Sequence, residues 1–173
     1  MKQVRYIFLL LLLSCSSSKV ITDYDSNTDF SQFKTYGFFE DVGAGFNEFD
    51  IKRLLNSIDV HMKKLGFRKT ETPDFYINFI AIIGQSTHTN TIGIGIGSGG
   101  VNGGFGISGG IPIGNKKLNE EITLEFVASK TDELFWKGIL NSSIKENRKP
   151  EEREFYFNEV IHKILQSYPL KNR

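Results

Sequence analysis

Between Glu48 and Leu65 apolar residues recur in steps of three and four, at Ile51, Leu54, Leu55, Ile58, Met62 and Leu65. That spacing draws one apolar stripe along an α-helix. Both ends of the stretch carry matching signals. Asn47 stands as an N-cap, and Glu48 and Asp50 place acids at the positive end of the helix dipole. Gly66 suits the left-handed position after the last turn, with Met62 and Phe67 as the apolar pair that closes such a cap. A second helix is predicted over Glu151 to Ser167, with Pro150 suited to its first turn and Pro169 ending it. Its stripe is Phe157, Val160, Ile161, Ile164, Leu165 and Tyr168.

Elsewhere the period drops to two, the signature of strands. Val20–Asp25 and Lys34–Phe39 read as strands separated by the turn-rich stretch Ser26–Ser31. In Phe75–Ile83, one face carries Phe75, Ile77, Phe79, Ala81 and Ile83, and Ile80 and Ile82 lie on the other, as in a central strand. Glu121–Ala128 turns Ile122, Leu124, Phe126 and Ala128 inward, the pattern of a half-exposed antiparallel strand. After a turn at Ser129–Glu133, Leu134–Ser142 returns with Leu134, Trp136, Gly138 and Leu140 on one face. Two helices and about five or more strands predict an α+β fold: an antiparallel sheet with both helices packed on one face, a two-layer sandwich.

One segment fits neither period alone. Residues 93–114 hold 11 glycines in 22 positions, within an insert bounded at 84–115. Ile92, Ile94 and Ile96 alternate with glycine, and Phe105, Ile107, Gly109, Ile111 and Ile113 fall on every second position again after the turn-like run Ser98–Gly104. An extended chain with this pattern forms a hairpin with an apolar face and a nearly bare glycine face. Three readings stand: a hairpin extending the domain's own sheet, a loop without fixed structure, or a docking surface for a partner, lipid or ligand.

The start of the chain changes the picture from a fold to an address. Lys2 and Arg5 precede an apolar run of 8 residues, Tyr6–Leu13. A membrane-spanning helix needs about 20 residues, so the run reads as a secretion signal. Leu12-Leu13-Ser14-Cys15 fits the bacterial lipobox, in which cleavage falls between Ser14 and Cys15. The Cys15 thiolate then accepts a diacylglyceryl group, and its freed amine an N-acyl chain. Cys15 is the one cysteine, which excludes a disulfide framework and a thiolate zinc site. The predicted organisation is a signal peptide (1–14), a lipidated tether (15–19) and a single domain (20–173). Loss of Lys2 and Arg5 from 21 basic residues leaves 19 against 20 acidic, a net of −1. Such a balance gives no basic excess for nucleic acid. Ser16 and Ser17 lack an inner-membrane retention signal of the Asp type, which favours the outer membrane.

Candidate chemistry narrows further by elimination. Gly95, Gly97 and Gly100 match the dinucleotide fingerprint in letters only, because neither a following helix nor the distant acid is present. Gly109–Gly114 has phosphate-loop spacing with Asn115 where lysine is required. Asp23, Asp25, Asn27 and Asp29 begin like a calcium loop, but Thr28 replaces the sharp-turn glycine and Lys34 the bidentate acid. His61, His88 and His162 include no pair at metal spacing. Neither a metal nor a catalytic set is predicted, and the expected cofactor list is empty apart from the acyl groups on Cys15.

Taken in order, several stretches resemble the domain of unknown function 4136 family of bacterial lipoproteins. They are Asp23-Tyr24-Asp25 with Thr28-Asp29-Phe30-Ser31 and Lys34-Thr35-Tyr36, Leu65-Gly66-Phe67 with Pro73-Asp74-Phe75, Phe135-Trp136-Lys137-Gly138, and Tyr168-Pro169-Leu170. The resemblance implies an α+β envelope domain and supplies no catalytic residues. Three functions remain in view. The leading expectation is a non-enzymatic binding or assembly module, with the membrane as partner through its anchor and envelope proteins as further candidates. A carrier of lipid or another apolar ligand is the alternative, followed by an envelope hydrolase.

Overall fold

The computed structural model describes residues 19–85, 91–92, 111–112 and 117–169. Helix α1 (Glu48–Lys64) begins where Asn47 caps it, the side-chain oxygen accepting from the Asp50 N–H at 3.1 Å. It ends at Gly66, whose φ of 86° is left-handed. There the Phe67 N–H donates to the Met62 carbonyl and the Gly66 N–H to that of Lys63, both at 3.0 Å. Helix α2 (Pro150–Leu165) starts on its proline, and Glu152 reaches back to accept from the Lys149 N–H at 2.9 Å. Among the described residues no helix is long and apolar enough to cross a membrane.

Six strands form one sheet: β1 (Val20–Tyr24), β2 (Thr35–Phe38), β3 (Arg68–Lys69), β4 (Phe75–Gln85), β7 (Lys117–Ala128) and β8 (Leu134–Lys145). Their order is β1-β8-β7-β4-β2-β3. Strands β5 (Thr91–Ile92) and β6 (Ile111–Pro112) pair with each other alone, antiparallel. The sheet is mixed, which corrects the antiparallel expectation. β2 lies parallel to β4 and to β3, and the other pairings are antiparallel. The reason is connectivity: α1 carries the chain from β2 back along the sheet, so that β4 starts from the same end.

Alternation along β4, β7 and β8 delivers one apolar face. Opposed pairs Ile77–Phe126, Phe79–Leu124 and Ile122–Leu140 are all buried and share a core with Leu54, Ile58 and Met62 of α1 and with Phe157, Ile161 and Ile164 of α2. Two expected inward residues depart from this. Ile83 is 51% exposed because β4 runs on past the edge of the core. Leu134 is 46% exposed, while Phe135 and Trp136 are both buried. A bulge explains it: Phe126 pairs with Trp136 and Val127 with Leu134, leaving Phe135 as the extra residue. The insertion resets the alternation and turns two consecutive rings into the core.

The helices run side by side in the same direction. Asp50 and Arg153, near the two N-termini, are 2.6 Å apart, and further along His61 bonds Asn158 at 3.0 Å. α2 presses close to β8 at Gly138, where a Cβ would stand 2.5 Å from Ile164 Cγ2. The register also defines a row across the sheet, Val20–Leu140–Ile122–Ala81. Beyond it lie the ends of β4 and β8, the start of β7 and both helix N-termini.

Candidate functional site

Charged groups gather inside the end of the molecule beyond that row. The helix dipole accounts for Asp50 in the first turn of α1, yet the folded chain buries it to 2% exposure. Its carboxylate is held by Arg53 at 2.8 Å and by Arg153, whose Nη2 donates at 2.6 Å and Nε at 3.1 Å. Next to it Glu120, 3% exposed, has Oε1 3.7 Å from Arg148 Nη2, while Oε2 has no hydrogen-bond partner among the described residues. Burial pushes the Glu120 carboxyl above the usual range, against the lowering pull of the Tyr156 hydroxyl and of Arg148 and Arg153. The Arg148 guanidinium lies 4.3 Å from the Tyr156 ring centre, and the Tyr156 hydroxyl bonds Ser142. Chemically, Glu120 is a carboxyl poised to hold a proton, but it is sealed beneath the α2 N-terminus.

At the opposite end the four stretches that carry the family resemblance converge. Phe75 packs against Tyr36, Phe67 and Phe135, and Tyr168 packs against Phe67, Phe126 and Trp136, at centroid distances of 5.4–6.4 Å. Asp74 ties this cluster to β2. One oxygen, Oδ2, accepts from the Lys34 N–H, the Thr35 N–H and the Thr35 hydroxyl at 2.8–2.9 Å. Burial pushes Asp74 up, but the bonds from Lys34 and Thr35 outweigh it and hold the carboxyl below its ordinary value. Beside it opens a cleft of about 690 Å³ lined by Asp25, Gln32, Phe33, Asp74, Lys130 and Glu133 among others. With its carboxylate already engaged, Asp74 is a poor base. The cleft can take a polar ligand, with Thr28, Lys130, Thr131 and Glu133 also in its lining.

The residues singled out by sequence fall as follows. Ser14 and Cys15 lie outside the described residues, as do Ile94, Ile96, Phe105, Ile107 and Ile113 of the hairpin and His88. Ile92 and Ile111 are cross-strand partners in the β5–β6 pair. Asp25 and Asp29 accept from the backbone N–H two residues on, at 2.9 and 3.0 Å, and so stabilise their turn. Asp23 pairs with Lys137 at 3.4 Å. His61 and His162, on separate helices, are brought to 5.2 Å between ring centres by the parallel helices. Burial holds His61 below its ordinary value, against the Asn158 bond, and nearby Lys64 and His162 lower it further. Among the described residues no group of three or more His, Cys, Asp or Glu is placed to hold a metal ion.

Sequence reasoning missed the Glu120–Arg148–Tyr156 cluster altogether. Glu120 reads as a polar residue just before a strand, and only the extension of β7 back to Lys117 puts it on the inward side.

Comparison with known proteins places these observations. The family model described as a domain of unknown function (DUF4136) matches residues 20–170. No curated protein matches. Among solved structures, a PDZ domain protein from Parabacteroides distasonis is similar with a TM-score of 0.55 at 14% identity. That likeness covers 99% of this chain but 41% of the other, so the chain spans less than half of that protein's length. PelC from Paraburkholderia phytofirmans, solved as a dodecamer, is similar in two crystal structures with TM-scores of 0.54 and 0.51 at 6% and 8% identity. Each match covers 90% of this chain and all of the other. At such identities the likeness is one of fold.

Proposed function

This chain belongs to the domain of unknown function family DUF4136, and from that membership we propose that it is a lipid-anchored protein of the bacterial envelope, a binding or assembly module and not an enzyme. Cys15 is its attachment residue, the outer membrane its site, and the membrane and neighbouring envelope proteins its partners. We take both helices to cover one face of the sheet as a second layer. The observation that carries the module reading is that three carboxylates of the described residues, Asp50, Asp74 and Glu120, are either enclosed or already engaged. Glu120 is enclosed, Asp50 is held by two arginines and Asp74 accepts three hydrogen bonds. The core between sheet and helices is filled by side chains such as Trp136, Phe126 and Phe157, all fully buried, which weighs against the carrier alternative. Because the PelC of like fold is a dodecamer, self-association is the first assembly to test.

Metabolic labelling with a radioactive fatty acid should mark the wild-type chain and leave Cys15→Ser unlabelled. Label retained by the variant refutes the anchor. Organic extraction of the purified protein separates the remaining readings, since a stoichiometric non-covalent lipid would favour the carrier.

A further inference from the structure

We infer that a second copy of this chain docks on the free edge of β1, the two β1 strands pairing antiparallel about a two-fold axis at Thr22 and joining two six-stranded sheets into one. The inference rests on the self-association proposed above and names its surface. β1 is an edge strand, paired with β8 on one side only. The Asp25 N–H donates to the Phe135 carbonyl at 3.1 Å, which sets the alternation along the strand, so Asp23 and Ile21 also turn their backbone groups to β8. Val20, Thr22 and Tyr24 turn theirs outward, where they have no backbone partner among the described residues.

The two edges of the sheet are built differently. The far edge is β3, two residues long and made of exposed Arg68 and Lys69, short and charged enough to refuse a further strand. β1 carries no such guard. Its register with β8 is unbroken by a bulge, and it holds neither proline nor lysine. Its one charge, Asp23, is met by Lys137 of β8 at 3.4 Å. Ile21 and Tyr24 stand on it 46% and 52% exposed.

The strand is also complementary to itself. With Thr22 facing its own copy, Val20 faces the second copy's Tyr24 and Tyr24 the second copy's Val20, so each outward N–H meets an outward carbonyl. This register sets a β-branched side chain beside an aromatic one, a favourable cross-strand pair, and opposes Asp23 to Ile21 and not to another acid. A strand of five residues buries less than a standard interface, and the anchor makes up the difference by confining the copies to one surface at high effective concentration. The axis stands normal to the joined sheet, so both chains leave Val20 at the same height along it. Cys15 precedes Val20 by five residues, a reach of roughly 17 Å at full extension, and both tethers can enter one membrane.

A cysteine scan along β1 tests the register. With Cys15 acylated, an introduced cysteine is the sole free thiol of the mature chain. Full-length Ile21→Cys, Thr22→Cys and Asp23→Cys proteins, expressed with their anchors and reconstituted into phospholipid vesicles, would be oxidised with copper phenanthroline and run on non-reducing gels. Across the axis the two Cα atoms of residue 22 stand about 5.5 Å apart, within disulfide reach. Residues 21 and 23 meet their own copies only diagonally, at about 7–8 Å, outside it. The expected result is a disulfide dimer from Thr22→Cys and little from Ile21→Cys or Asp23→Cys alone. A dimer should return when those two proteins are mixed before reconstitution, because their positions face each other. Equal cross-linking at the three positions, or none from Thr22→Cys and the mixture alike, overturns the inference. Sedimentation of the wild-type protein in detergent then separates the two readings: an oligomer leaves self-association standing on another surface, and a monomer removes both.

Discussion

Gly138 offers a sharp test of how α2 sits on the sheet. A Cβ there would lie 2.5 Å from Ile164 Cγ2 and 2.8 and 3.2 Å from the Cη2 and Cζ2 atoms of Trp136. Ordinary carbon contacts need about 3.5–4.0 Å. Ile164 and Trp136 are both fully buried, so neither has solvent to swing into. Gly138→Ala must therefore lift α2 from β8 or force the indole off its rotamer, at a cost of about 1–3 kcal/mol. Alanine also restricts the unfolded chain, which returns about 0.4–1 kcal/mol, so the clash wins. In a domain of this size the net loss lowers Tm by up to roughly 10 °C. A double-mutant cycle isolates the contact. Ile164→Ala alone leaves a cavity and costs about 2–5 kcal/mol. With Gly138→Ala the new methyl enters that space, and the double variant should be less destabilised than the sum by about 0.5–3 kcal/mol. Urea midpoints of the four proteins give the coupling. A Gly138→Ala protein as stable as wild type, or strict additivity, refutes the packing described.

Two further predictions concern charge. Glu120 is raised above 4.5 in the folded state, so between that value and its folded pKa the native chain keeps a proton the unfolded chain has lost. Stability should fall as pH rises through that window, and Glu120→Gln should remove the slope; parallel urea midpoints for both proteins across pH 4–8 would refute it. Asp74 is lowered below 3.8, so its contribution is present above that value and lost as pH falls through its folded pKa. Asp74→Asn should cost about 1.5–3 kcal/mol at pH 7 and show a shallower acid limb in thermal melts, whereas an unchanged melt at pH 7 would remove Asp74 from the β2–β4 junction.

Sequence alone determined the elements and their termini wherever the cause is local. The stripe from Ile51 to Leu65, the Asn47 cap and the Met62–Gly66–Phe67 exit all appear as expected, because each depends on residues within a turn or two. The inward faces of β4 and β7 follow from a period of two in the same way. The proposed attachment at Cys15 rests on a local motif as well. Tertiary structure decided what separate segments do to one another. β2 runs parallel to β4 because a helix lies between them in the chain, and alternation carries no strand direction. The bulge at Phe135 depends on what Phe126 and Val127 require from across the ladder. Asp50, Glu120 and the pair Arg148 and Arg153 come from three places in the sequence, each polar enough to pass for surface. Only the pairing of the two helices and the extension of β7 back to Lys117 bring them together as a buried charged cluster beyond the Val20–Leu140–Ile122–Ala81 row.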